Sequence, residues 1–183
     1  MPLYPADVEA RRQRFLELAD ETFEPLRRYV RRRVEIDVVD DVLAETMLTL
    51  WRRLEDIPSQ GGLPWAYGVA RRHIANHRRA TRRHLSLVKR VEAEPAPPPA
   101  GEAPLNFELD AALDRLQAEE RELLRLWAWE ELEPREIAVV LGLTVNAATI
   151  RLHRAKKKLA RNLEEVRKNQ LATGQIHQVS RKE

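Results

Sequence analysis

The chain has 183 residues, a formal net charge of +3, 33% charged residues and only 5% aromatics, so its core must be aliphatic and its length suits one medium domain or two small ones. It contains no cysteine, which excludes disulfides, thiolate metal sites and direct thiol redox sensing. No apolar run approaches the ~18 residues of a membrane span, and the first residues lack a signal-peptide core, so a cytoplasmic protein without a membrane span is expected.

Residues 8–34 predict helix, with Phe15, Leu18, Ala19, Phe23, Leu26, Tyr29 and Val30 recurring at three- and four-residue steps. Pro25 should interrupt it near Glu24, and Arg27, Arg28, Arg31, Arg32 and Arg33 should cover the outward side. Asp37 can cap the next helix, 38–54, whose stripe is Val39, Leu43, Met47, Leu50 and Leu54. Its early acids Asp40, Asp41 and Glu45 suit a helix N-terminus on dipole grounds alone. Residues 57–64 (IPSQGGLP) read as a loop, followed by a long helix from Trp65 to about Lys89 with an apolar side including Val69, Ile74, Leu85 and Val88. The rest of that helix is almost wholly basic: 71–91 holds seven Arg and one Lys with no acid. His73 and His77 stand at i, i+4, but without the glutamate of a zincin and among arginines that oppose a cation.

Residues 92–110 hold five acids and no base, and 93–101 (AEPAPPPAG) cannot pack a core, so 92–108 reads as an extended acidic linker between two helical domains. Such charge blocks imply distinct surfaces for distinct partners, the basic ones suited to phosphate. Leu109, Ala112, Leu113 and Leu116 then mark one helix, and a second spans Glu119 to about Trp129 with Leu123, Leu124, Leu126 and Trp127 inward. Both Trp127 and Trp129 are expected in the core. Glu133-Pro134 starts a short helix carrying Ile137, Val140 and Leu141; Gly142 suits its C-cap, and Thr144 can cap a further helix. That last helix buries Ala148, Leu152, Ala155 and Leu159 and has no acid from Ala147 to Arg161. Two helices, a glycine turn and a basic second helix make a helix-turn-helix that fits a DNA major groove. A merely solvated basic hairpin would usually alternate charge signs to gain i,i+4 pairs. Beyond Leu163 the apolar periodicity stops, and 165–183 is expected to be a disordered tail. The expected fold is therefore all-α: a helical domain over 8–91, the linker over 92–108, and a helix-turn-helix domain over 109–164.

The runs DDVLAETMLTLWRRL, LPWAYGVARRHIANHRR and LGLTVNAATIRLHRAKKKL, in this order around an acidic linker, resemble bacterial sigma-70 family factors of the extracytoplasmic-function group. The resemblance covers about 15–164 and implies a transcription initiation factor, not an enzyme, with no cofactor, metal or catalytic residue. It implies that the first domain (region two) binds the β′ clamp helices of core RNA polymerase and melts the minus-10 element. The second (region four) would sit on the β flap and read the minus-35 element, with the acidic segment running towards the active-site cleft. Carried over by motif, Asp41, Glu45, Leu50 and Trp51 become polymerase-binding candidates. Trp65, Arg71, Arg72, Asn76, Arg78, Arg79, Arg82 and Arg83 become the minus-10 surface, and Asn146, Ala147, Thr149, Arg151, Arg154 and Lys158 the minus-35 surface. An anti-sigma factor is a further implied partner. Ala44 departs from the family's frequent glutamine, which shifts polymerase contact onto Asp41 and Glu45.

Physical reasoning divides the labour in the same way. A major-groove helix presents its first residues to base edges, so Asn146 and Thr149 suit reading while Arg151, Arg154 and Lys158 suit phosphates. Strand separation needs a basic track with π-faces, for which Trp65 and Tyr67 are available, although Trp65 also fits a core anchor. The alternatives are a stand-alone helix-turn-helix regulator binding duplex DNA as a dimer, and a helical adaptor held by an inhibitor. The regulator would leave the arginine helix and acidic linker without a task.

Overall fold

The computed structural model describes residues 5–88 and 107–179, with side chains over 7–83 and 108–169. The fold is all-α: seven helices and two short 3-10 turns make up the regular structure among the described residues. The chain divides into two compact units, one built on the first three helices and the other on the fourth, fifth and seventh helices with most of the sixth.

In the first unit α1 (Pro5–Arg31), α2 (Val39–Arg52) and α3 (Gly62–Val88) pack pairwise around Leu26, Tyr29, Val30, Leu43, Leu50, Leu54, Ala66, Ala70 and Ile74. Pro25 does not interrupt α1, contrary to expectation: the helix runs through it. The missing proline N–H costs one ladder bond, and this is offset by the burial of Leu26, Tyr29 and Val30 directly after it, at about 1.5–3 kcal/mol for each large side chain. Thr22 and Thr46 are fully buried, and each hydroxyl donates to the carbonyl one turn back, Leu18 and Val42, at 2.6 Å. Phe23, expected inward, is exposed, and Thr22 takes the inward place. Arg33, expected outward, is buried, its guanidinium 3.7 Å over the Tyr29 ring and donating to the Tyr29 carbonyl at 3.1 Å. Asp37 caps nothing: it lies in a 3-10 turn, Ile36–Val38, and α2 starts without a side-chain cap. The loop expected over 57–64 is shorter, because α3 already begins at Gly62 with Pro64 in its first turn.

In the second unit α4 (Phe107–Asp114) opens within the stretch expected to be linker, and most of 92–108 lies outside the described residues. α5 (Ala118–Ala128) starts on a capping box, in which Gln117 N–H donates to Glu120 Oε2 at 2.9 Å. Glu131, in the left-handed region at φ 55°, turns the chain towards α6 (Pro134–Leu141). Glu133 N–H donates to Glu136 Oε2 at 2.8 Å at the start of α6. Gly142, at φ 65° with open space where a Cβ would stand, ends it, so the backbone conformation rather than crowding requires glycine. Thr144 Oγ1 then accepts from Ala147 N–H at 3.2 Å and caps α7 (Val145–Val179). α7 meets α6 at 104° over the stretch to Asn169, within the range of a helix-turn-helix.

α7 does not stop near Leu163. It continues to Val179, and the stretch just past 164 is packed: Val166 is buried, Arg167 Nε reaches Glu108 at 2.7 Å, and Arg115 reaches Glu165 at 3.3 Å. Asn162 is buried and donates to the Ala112 carbonyl at 3.1 Å, fixing α7 to α4. The expectation of a disordered tail from 165 missed these partners because they lie some fifty residues away in sequence.

Candidate nucleic-acid interface

Three exposed helix surfaces carry the charge. On α2, Asp41, Ala44, Glu45, Leu48 and Arg52 share one exposed stripe at three- and four-residue steps. Leu50 and Trp51 do not join it. Leu50 has no exposure at all, and Trp51 is half-buried, edge-on to Phe15 at 5.2 Å with the Arg11 guanidinium 5.0 Å above its ring. Arg11 also donates to the Trp51 carbonyl at 2.9 Å. Leu50 is therefore core, and the apolar side chain presented beside Asp41 and Glu45 is Leu48, 47% exposed, which periodicity does not single out.

On α3, Arg72, Asn76, Arg79 and Arg83 fall in one exposed stripe at i, i+4, i+7 and i+11, with Arg71, Arg78 and Arg82 in the stripe beside it. Arg78 has a second use: it donates to the Arg33 carbonyl at 2.7 Å, satisfying a backbone group just past the end of α1. Trp65 is half-buried with Arg53 at 5.4 Å over its ring, and Tyr67 is buried against Tyr29 with ring centroids 4.7 Å apart. Tyr67 is thus core, and Trp65 is the aromatic left partly open beside the arginines. His73 is engaged by protein partners, Glu45 and Thr49, and no cluster of three or more potential metal ligands occurs among the described residues.

On α7, Asn146, Thr149, Arg151 and Arg154 are exposed and Ala147 is half-buried. Ala148, Leu152 and Ala155 are buried, so the outward line opposite them runs through Asn146, Ile150, His153, Arg154, Lys157 and Arg161. Ile150, 42% exposed in the middle of this line, is not among the residues singled out from sequence; an isoleucine at a polar helix position is the signal that could have found it. Lys158 departs from its expected role. Its ammonium lies 3.0 and 2.7 Å from the two oxygens of Glu120, with about 30% of each side chain exposed, so it pins α7 to α5. That ammonium, together with the Gln117 N–H, holds the Glu120 carboxyl below its ordinary value.

Trp127 and Trp129 are not core: they are 44% and 47% exposed at the end of α5. Each carries a cation on its face, Lys156 Nζ at 3.3 Å over Trp127 and Arg125 at 5.3 Å over Trp129.

Comparison with known proteins agrees with this two-unit arrangement. The profile of sigma-70 region 2 matches residues 18–84 and that of sigma-70 region 4 matches residues 106–159. The ECF RNA polymerase sigma factor SigF of Caulobacter vibrioides is 33% identical over 130 residues, spanning 68% of this chain and 70% of SigF. The ECF RNA polymerase sigma factor SigL of Mycobacterium tuberculosis is 29% identical over 134 residues, 69% of this chain and 75% of SigL. Among solved structures, CnrH in complex with the cytosolic domain of CnrY is 25% identical, with a TM-score of 0.53 over 82% of this chain and 88% of that one. The sigma factor RpoE of Bartonella quintana, crystallised with the anti-sigma factor NepR, shares the fold at 20% identity and a TM-score of 0.57, over 84% of this chain and 96% of that one.

Proposed function

The chain belongs to the extracytoplasmic-function group of sigma-70 family RNA polymerase sigma factors, transcription initiation factors, and we propose how its surfaces divide that work. Asp41, Glu45 and the exposed Leu48 dock on the clamp helices of core RNA polymerase. The arginine stripes of α3, with Trp65 beside them, hold the minus-10 element as it opens. The first turns of α7 read the minus-35 element as duplex, with Asn146 and Thr149 facing bases and Arg151 and Arg154 on phosphates. Leu50, Tyr67 and Lys158 take no part in these contacts, because the core or an intramolecular ion pair already uses them.

The observation that carries this reading is the segregation of charge: exposed Asp41 and Glu45 on α2, and basic faces without an acid on α3 and on α7 from Asn146 to Arg161. A stand-alone regulator would have no use for the region-two unit matched over residues 18–84. CnrH was solved with the cytosolic domain of CnrY, and a protein partner that binds the chain and withholds it from polymerase is the regulator proposed here.

The test is charge reversal at Asp41 and Glu45 together, followed by co-purification with core polymerase. Both residues are exposed, so helicity should be unchanged. The expected result is loss of holoenzyme; assembly at the wild-type level by the folded double variant would remove the docking role.

A further inference from the structure

We propose that His73 is a positioning residue that holds the Glu45 carboxylate ready for its polymerase contact, an inference that rests on the docking role given to Glu45 above. The observation is a closed set of three side chains across two helices. His73 Nδ1 on α3 lies 2.9 Å from Glu45 Oε2 on α2. The other ring nitrogen, Nε2, lies 3.0 Å from Thr49 Oγ1, one turn after Glu45 on the same helix. The Thr49 hydroxyl is in turn 2.9 Å from the Glu45 carbonyl oxygen.

Each contact constrains the next. A carboxylate only accepts, so the hydrogen in the Glu45 contact sits on Nδ1. The Thr49 hydroxyl has a single hydrogen: it goes to the Glu45 carbonyl when Nε2 donates, and turns to Nε2 when Nε2 accepts, so Thr49 holds the ring plane in either case. The ring is mostly shielded, at 21% side-chain exposure, whereas Glu45 is 63% exposed. A half-free glutamate on a helix surface would otherwise sample several rotamers. Here Oε2 is held from behind by a side chain that is itself held at both ends, and Oε1 remains for a partner. An acid ordered in this way loses less freedom on docking than a mobile one. The link also runs from α3, the proposed minus-10 helix, to α2, the proposed docking helix. His73 thereby acquires a task that the resemblance to the family does not assign to it.

The test uses the full-length chain and core RNA polymerase, with affinity measured by titration at fixed salt. Glu45→Ala, His73→Ala and the double variant form a cycle, and His73→Asn and His73→Gln separate the two ring nitrogens. Asn places its amide N–H near Nδ1 and can still donate to Glu45, whereas Gln reaches towards Nε2 and keeps only Thr49. His73→Ala and His73→Gln should weaken binding roughly threefold to tenfold, the range expected from ordering one long side chain. His73→Asn should bind within about twofold of the wild type, a difference too small to reflect lost ordering of Glu45. The double variant should bind no more weakly than Glu45→Ala alone.

A general loss of stability would instead persist in the Glu45→Ala background and would not distinguish Asn from Gln, and that pattern overturns the proposal. So does wild-type affinity in His73→Ala when Glu45→Ala is impaired. Wild-type affinity in Glu45→Ala removes the docking role of Glu45 itself, a separate failure that takes this proposal with it. Should His73→Ala not fold, the Asn and Gln variants carry the comparison.

Discussion

The Lys158 ammonium and the Glu120 carboxylate are 38 residues apart in the chain and meet at 2.7 Å. Glu120 also accepts the Gln117 N–H at 2.9 Å, so one carboxylate both caps α5 and binds α7. Both contacts favour the ionised form, and its folded-state value lies below the ordinary 4.5. A depressed carboxylate contributes stability that is full above 4.5, its unfolded value, and is lost as pH falls through the lower folded value. Glu120→Gln keeps an acceptor for the cap and removes the charge. It should lower stability by about 1 kcal/mol at neutral pH, discounted for partial exposure, with the gap closing as the pH falls below that window. Thermal unfolding of both proteins between neutral and acid pH measures this; a gap that does not change with pH would show that the ion pair adds nothing. At Glu131 the cost is conformational, since φ is 55° on a side-chain-bearing residue. Glu131→Gly should raise stability by roughly 0.5–1 kcal/mol, the steric relief being partly offset by the freer unfolded chain. A lower melting temperature in that variant would mean that the Glu131 side chain has a stabilising contact larger than the strain.

Among the elements, the passage from α6 through the turn into the first turns of α7 is where sequence and structure agree most closely, because its signals are local. A proline start, a glycine stop, a threonine cap and a buried Ala148–Leu152–Ala155 line are all decided within a few residues. What sequence could not show is decided by distant neighbours. Periodicity puts Leu50 in the apolar stripe of α2 and Leu48 outside it; only the carry-over by motif sets Leu50 at the docking surface, and the packing of α2 on α1 and α3 leaves it no exposure there. Lys158 reads as a phosphate ligand until Glu120 is seen beside it. Trp127 and Trp129 read as core because aromatics usually are, yet they close over Lys156 and Arg125 at the surface. On α7 itself, base reading and phosphate holding can be separated. Asn146→Ala should change which minus-35 sequences are used, at ~1–3 kcal/mol for one base position. Arg154→Ala should instead lower use of all promoters alike and reduce salt sensitivity, since one fewer counterion is released. The assay is a randomised minus-35 library transcribed by each reconstituted holoenzyme at two salt concentrations. Intact preference in Asn146→Ala with altered preference in Arg154→Ala would move the readers further along, towards Ile150 and Arg154.

For the whole molecule, the decisive property is the order of charge along the chain: a basic α3, then five acids with no base over 92–110, then a basic α7. Those five acids are not equivalent. Glu108 is bound to Arg167 at 2.7 Å and belongs to the packing of α4 on α7. Glu92, Glu94 and Glu102 flank or sit within the proline-rich stretch that composition predicts to be an extended linker. If the segment runs towards the active-site cleft, as membership of the family suggests, its negative charge lies where nascent RNA must pass and must be displaced. Replacing Glu92, Glu94 and Glu102 together by Ser should then leave the melting temperature and holoenzyme assembly unchanged while altering the ratio of abortive to full-length transcripts. Glu108→Ser should do the reverse, lowering the melting temperature of the second unit without a specific effect on escape from the promoter. Run-off transcription on a single promoter, read beside thermal unfolding of each variant, distinguishes the two. Wild-type transcript ratios from the triple variant would reduce these acids to aids to solubility, and a lowered melting temperature would place them in the packed structure instead.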